Sequence, residues 1–280
     1  MVKFLPVAKI NESNLYYIEY GSGEPFIVLH GGLGLDHTYF RPVLDPLGEI
    51  FKLIFIDYRG HGRSGRPPIN TITYEQIVDD VNELRKFLGY DKVGVIGHSA
   101  GGFIALKYAI HHLRNISNLI LIDTAPAFDY PDEITAIVKG KNPTPEILAT
   151  LDAPAATTAE GFKQQLRILN PLYFYDLNPE LKEEVEKVFA TMIVNPEVAA
   201  LDNVLILKYN VSSKLSKIEV PTLVLVGEDD FICPPSQAQR MHDSIPNSEL
   251  IIFERCGHFP FYEVPDEFFR VVSEWFKKHN

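Results

Sequence analysis

Residues 97–101 read Gly-His-Ser-Ala-Gly and follow Val93-Gly-Val-Ile, a run with the apolar character of a buried strand. A serine in that setting points to nucleophilic chemistry. A Gly-x-Ser-x-Gly turn between strand and helix sets the serine on a strained, exposed elbow, and its neighbours are small because strand and helix approach closely. The N-terminus of the helix that follows presents partial positive charge to any anion forming beside the hydroxyl. A serine hydroxyl is a weak nucleophile at neutral pH, so Ser99 needs a base.

Nine histidines compete for that role. His30, His61 and His98 lie in glycine-rich turns, where hydrogen bonding to the backbone is the ordinary use. His111 and His112 sit late in a helix, His242 in a polar helical stretch and His279 at the terminus. His258 differs. It follows the last strand-like run, in Arg255-Cys-Gly-His-Phe, on a loop expected at the same sheet edge as the elbow. An imidazole base is held in one tautomer by a carboxylate, and Gly227-Glu-Asp-Asp closes the preceding run. Of the two adjacent aspartates Asp230 is favoured over Asp229, because the Gly-x-x-Asp pattern is followed by Pro234. The chain order Ser99, Asp230, His258 is the order this elbow motif brings. The charge that develops on an attacked carbonyl needs two backbone amides. Ala100, next to the nucleophile, is expected to supply one, and His30-Gly-Gly-Leu-Gly the other, with Gly32 the choice and Leu33 next. Leu33, Phe40, His98, Phe259 and Phe261 are expected to shape an apolar pocket together with Tyr173, Phe174 and Tyr175. Ordinary core packing is the expectation for about half of these aromatics.

The elements that must position these groups are short apolar runs with turn residues behind them, at Phe26–His30, Lys52–Asp57, Val93–Gly97, Leu119–Asp123, Thr222–Gly227 and Leu250–Phe253. Runs that are apolar on both faces mark central strands of a parallel sheet covered by helices. Tyr74–Leu88 places Ile77, Val81, Leu84 and Leu88 on one helical face, and Ser99–Ile110 is small and apolar, so both fit crossover helices. Leu15–Tyr20 is assigned to an antiparallel edge. From 129 to 213 no strand-like run appears, only helical patches broken by prolines. The fold class is therefore α/β, a mostly parallel sheet flanked by helices. The core comprises 1–128 and 214–280, with a helical cap over 129–213 inserted before the strand carrying the acid.

Several classes are set aside. A formal charge of -11 with no basic block repels nucleic acid. No window approaches a membrane span, and the N-terminal run lacks the apolar core of a signal peptide. Two cysteines, Cys233 and Cys256, make no disulfide framework, and a cytoplasmic protein is expected. They lie on the two loops that carry Asp230 and His258, where a disulfide would fix the loops together; free thiols are the expectation. Gly60-His-Gly-Arg-Ser-Gly spells a dinucleotide fingerprint, but Arg66-Pro-Pro follows where a helix should start. No cofactor and no metal are expected, and the partner is a small-molecule ester or a short peptide.

Together DYRGHGRS (57–64), GHSAGG (97–102), GEDDFICPP (227–235) and CGHFPFYEVP (256–265) resemble the α/β-hydrolase superfamily over nearly the whole chain outside the cap. That resemblance implies the α/β-hydrolase fold and a Ser99–Asp230–His258 triad beneath a helical lid. HGGLGLDHTYF (30–40) is similar to the His-Gly-Gly-Pro-Gly segment of proline iminopeptidases. Leu33 replaces the Pro usual there, Ala100 the usual Trp, and Leu169 the cap glutamate that holds a substrate amino group. Glu160 and Asp176 are the cap acids considered as substitutes. The resemblance thus implies an esterase first, and an aminopeptidase or a lactonase as alternatives. A receptor that traps a small molecule without turnover is a remote fourth reading.

Overall fold

The computed structural model describes residues 6–279. Eight strands form one sheet: β1 (Val7–Ile10), β2 (Ser13–Gly21), β3 (Glu24–Leu29), β4 (Phe51–Ile56), β5 (Val93–His98), β6 (Ile116–Ile122), β7 (Thr222–Gly227) and β8 (Ser248–Phe253). Their order is β1-β2-β4-β3-β5-β6-β7-β8. The first two pairings are antiparallel and every later one is parallel. The doubly apolar runs are explained by alternation onto two covered faces. Ile27, Leu29, Val93, Val95, Leu119 and Leu121 enter one apolar cluster. Phe26, Val28, Ile96, Ile120 and Ile122 enter the other.

The antiparallel expectation needs one correction. Leu15–Tyr20 lies within β2, which pairs on both sides, so β1 is the edge. β1 is only four residues long, too short for its alternation to stand out.

α1 (Tyr74–Phe87) and α2 (Ala100–His111) are the two expected crossover helices. The Thr73 hydroxyl caps α1 by accepting from the Gln76 amide at 3.1 Å. Between β6 and β7 come α3 (Pro131–Gly140), α4 (Pro145–Leu151), α5 (Ala159–Tyr173), α6 (Pro179–Thr191) and α7 (Pro196–Leu205). Four of the prolines that interrupt this stretch stand in the first turn of a helix, where a missing N–H costs nothing. An isolated antiparallel bridge between Ala127 and Asn210 brings the two ends of the insertion together. α8 (Pro235–Ser244), α9 (Pro260–Glu263) and α10 (Pro265–His279) complete the chain. At Gly60–Gly65 there is turn rather than helix, and α1 begins only at Tyr74. Among the described residues no single helix is long and apolar enough to cross a membrane.

Candidate active site

From β3 the chain first adds β4 on one side, then returns to add β5 and β6 on the other. The loops leaving β3 and β5 therefore diverge, and a crevice opens at the carboxyl ends of these strands. The His30–Gly34 loop leaves β3, and Ser99 leaves β5.

Ser99 sits at φ 54°, ψ −126°, a left-handed backbone that costs a non-glycine residue about 1–3 kcal/mol. Surrounding contacts impose it. Its N–H donates to Ile122 O at 3.0 Å, and its carbonyl accepts from the Thr124 hydroxyl at 2.8 Å. The flanking glycines are demanded by space. A Cβ on Gly97 would lie 2.7 Å from that of Ala105, and one on Gly101 would lie 2.1 Å from the Leu29 carbonyl oxygen. Only without side chains there can α2 start this close to β3.

Asp230 and His258 meet across the loops that leave β7 and β8. His258 Nδ1 lies 2.7 Å from Asp230 Oδ2, and both residues are buried. Asp230 Oδ1 accepts from the Ile232 and Cys233 amides at 2.9 and 3.1 Å. Burial pushes the Asp230 carboxyl up, but the His258 charge and hydrogen bond, aided by the two amides, more than offset it and hold it below its ordinary value. Asp229 turns away to pair with Lys141. The side chains of Ser99 and His258 line the same cavity.

His98 forms a relay behind them. The Gly31 N–H donates to the Tyr39 hydroxyl at 2.5 Å, which leaves the Tyr39 proton for His98 Nδ1 at 2.9 Å. His98 Nε2 then donates to the His258 carbonyl at 2.9 Å. That chain assigns the neutral tautomer, and burial followed by the nearby His258 charge lowers the His98 basicity well below the usual imidazole range. Gly32 follows the Gly31 amide that Tyr39 engages and sits at φ 61°.

The cavity has a volume of about 400 Å³, and Leu33, His98, Tyr173, Phe174 and Phe259 all stand on its wall with Ala100. Phe40 and Phe261 do not. Each is fully buried, and with His98 they form an aromatic layer with ring centroids 5.3–6.0 Å apart. These two are core residues beneath the site, a correction to their expected place in the pocket. Tyr175 is 50% exposed and also lies off the cavity wall.

The insertion is joined to the site at several points. His258 N–H donates to Tyr173 O at 2.7 Å and Asn195 N–H to Gly34 O at 2.7 Å. Glu263 accepts from Gly257 N at 2.8 Å and from Tyr175 N at 2.7 Å. Burial raises its carboxyl to about 7 despite those amide donors.

Neither acid considered as an amine anchor lines the cavity. Glu160 is an exposed partner of Arg167, and Asp176 is exposed. The carboxylate on the wall is Asp202, in α7. It accepts from the Tyr74 hydroxyl at 2.8 Å, and burial raises it to about 6 against that bond and the Leu33 amide. An acid inside Ala-Ala-Leu-Asp-Asn-Val-Leu, a largely apolar helical stretch, was the sequence signal for it.

Both cysteines are free thiols, so no disulfide ties the two loops. Cys233 is on the cavity wall, and Cys256 Sγ lies 3.8 Å from Glu263. Asp123, Asp230 and His258 bring donor atoms within 4.8 Å of one another. This set has the composition of a metal site, but His258 and two backbone amides already engage the Asp230 oxygens.

Comparisons with known proteins agree with this architecture. The chain matches the model of the alpha/beta hydrolase fold family over residues 24–265. It is 32% identical over 270 residues to the proline iminopeptidase PfmaB of Pestalotiopsis fici, covering 92% of this chain and 93% of the relative. Among solved structures, an esterase from Exiguobacterium antarcticum superposes with a TM-score of 0.76 at 27% identity, over 97% of this chain and 98% of the other. The enol-lactonase from Burkholderia xenovorans LB400 gives 0.72 at 25% identity, over 97% and 100%.

Proposed function

This chain belongs to the α/β-hydrolase fold family, and from that premise we propose a serine hydrolase that cleaves carboxylic esters of small to medium acyl chain. The observation that carries the reading is the 2.7 Å bond between His258 Nδ1 and Asp230, at the cavity that Ser99 also lines. In this reading Ser99 Oγ attacks the ester carbonyl and His258 Nε2 takes its proton, while Asp230 holds Nδ1–H and stabilises the imidazolium. The amides of Gly32 and Ala100 receive the tetrahedral oxyanion, each worth on the order of 3 kcal/mol. His258 returns the proton to the departing alcohol, and water releases the acyl group by the same steps in reverse. Leu33, Tyr173, Phe174 and Phe259 offer the acyl chain an apolar wall, with 129–213 acting as the lid. His98 supports the His258 backbone from behind.

A second reading is favoured by one observation. Among the described residues Asp202 places the one carboxylate on a mostly apolar wall, where a substrate ammonium would find the anchor that Leu169 does not provide. The relative named above as a proline iminopeptidase fits this alternative, and the lactonase neighbour fits a cyclic-ester variant of the first. Hydrolysis of p-nitrophenyl butyrate and of proline p-nitroanilide by wild type, Ser99→Ala and Asp202→Asn separates the two readings. The esterase reading expects ester turnover that Ser99→Ala abolishes and Asp202→Asn leaves, with little anilide turnover. Dominant anilide turnover that collapses in Asp202→Asn selects the aminopeptidase.

A further inference from the structure

We infer that Asp123 is a positioning residue of this site, standing protonated beside Asp230 and donating a hydrogen bond to its carboxylate. The inference rests on the reading of Asp230 and His258 as the acid and base.

Asp123 is the first residue beyond β6. It takes a left-handed backbone at φ 45°, and its N–H donates to Leu225 O at 2.9 Å. Its side chain is fully buried. Oδ1 accepts from the Gly227 amide at 2.9 Å, whereas Oδ2 is buried and has no hydrogen-bond partner among the described residues. An orphaned carboxyl oxygen in that position needs an explanation, and the nearest groups supply one. The titratable groups that face it are Asp230, Glu263, Cys233 and Cys256, with His258 in the same 4.8 Å cluster. The one potential cation among them, His258, is already engaged by Asp230.

Two ionised carboxylates buried this close together cannot coexist cheaply, so one holds a proton. Counting donors decides which. Asp230 receives His258 Nδ1 and two amides, and Asp123 receives one amide. The proton therefore belongs to Asp123, and burial followed by the Asp230 charge pushes its carboxyl well above the ordinary range. Its Oδ2–H then becomes a fourth donor to Asp230. That bond adds no charge beside His258, and it holds the Asp230 carboxylate facing Nδ1.

The test compares wild type with Asp123→Asn and Asp123→Ala by two readouts. Infrared difference spectra at about pH 8, where ordinary carboxylates are ionised, should show the carbonyl stretch of a protonated carboxyl in wild type that both variants lack. In ester hydrolysis Asp123→Ala should lower kcat about tenfold with KM little changed, the scale of one hydrogen bond to a charged group. Asp123→Asn keeps a donor, so it should recover most of that loss and leave the acid limb of the pH profile in place. A carboxylate band in place of the protonated one, or an acid limb displaced in Asp123→Asn as if a negative charge had been removed, overturns the inference. So does an Asp123→Ala variant with wild-type kcat. If Asp123→Ala does not fold, the spectrum and the Asn profile decide alone. Ser99→Ala and Asp230→Asn are assayed in parallel. Turnover that survives in those two removes the catalytic reading, while the infrared band reports the Asp123 proton independently.

Discussion

Replacing Asp230 by Asn changes one atom at a fully enclosed point, and the structure sets the consequence. The Asn carbonyl oxygen can keep the Ile232 and Cys233 amides, now at 2.9 and 3.1 Å, so the loop retains its hydrogen bonds. The amide nitrogen then occupies the place of Oδ2, 2.7 Å from His258 Nδ1. Two donors cannot face each other there, so the imidazole moves its proton to Nε2, the atom that accepts from Ser99 in the proposed mechanism. The base is lost by tautomer rather than by geometry, an effect of about 10⁴-fold in kcat, or about 5.4 kcal/mol in the barrier. The assay is ester hydrolysis at saturating substrate, with thermal unfolding measured beside it to show that the fold persists. Asp229→Asn is the control, since Asp229 pairs with Lys141 rather than with His258, and it should stay within about threefold of wild type. An Asp230→Asn variant that keeps more than a tenth of the wild-type rate, or an Asp229→Asn variant that loses as much, refutes the assignment of the orienting acid.

Three further outcomes are expected. Gly101→Ala drives a Cβ to 2.1 Å from the Leu29 carbonyl oxygen, so denaturant unfolding should show a loss of about 1–3 kcal/mol or more, and in the proposed reading ester turnover falls as α2 shifts from the His30–Gly34 loop. Glu263 holds its proton up to about 7 rather than the usual 4.5, so between those values the folded state binds more protons than the unfolded chain. Stability is therefore greatest below the lower value and declines as pH rises through the upper one, by at most about 3 kcal/mol and less where water reaches the carboxyl. Glu263→Gln should flatten that slope in unfolding measured from acid to mildly alkaline pH. If the aminopeptidase reading holds, KM for an amine-bearing substrate should rise as pH falls below about 6, where Asp202 takes up its proton, and Asp202→Asn should abolish that dependence.

The parts of the candidate site that depend on chain order were legible in the sequence. The elbow shows itself because Gly97 and Gly101 are required by contacts to Ala105 and Leu29, and His258 because it follows the last strand. What depends on distance in space was not legible. Asp202 finds Tyr74 from 128 positions away, and nothing in α7 announces which way its acid faces. Asp123 ends an apolar run like any strand terminus, and its meaning appears only beside Asp230. Phe40 and Phe259 are the same residue type near the same loops, yet Phe40 is sealed against Phe55 and Phe261 and Phe259 reaches the cavity. The prolines of the insertion read as interruptions, although several of them begin helices.

The most direct measurement of the central claim is covalent labelling with an active-site-directed alkyl fluorophosphonate, followed by intact mass and peptide mapping. The account predicts one adduct per chain, carried by Ser99, formed in step with the loss of ester turnover and absent from Ser99→Ala. Turnover that continues in the unlabelled protein while no adduct forms, or an adduct on another residue that tracks the inactivation, contradicts it.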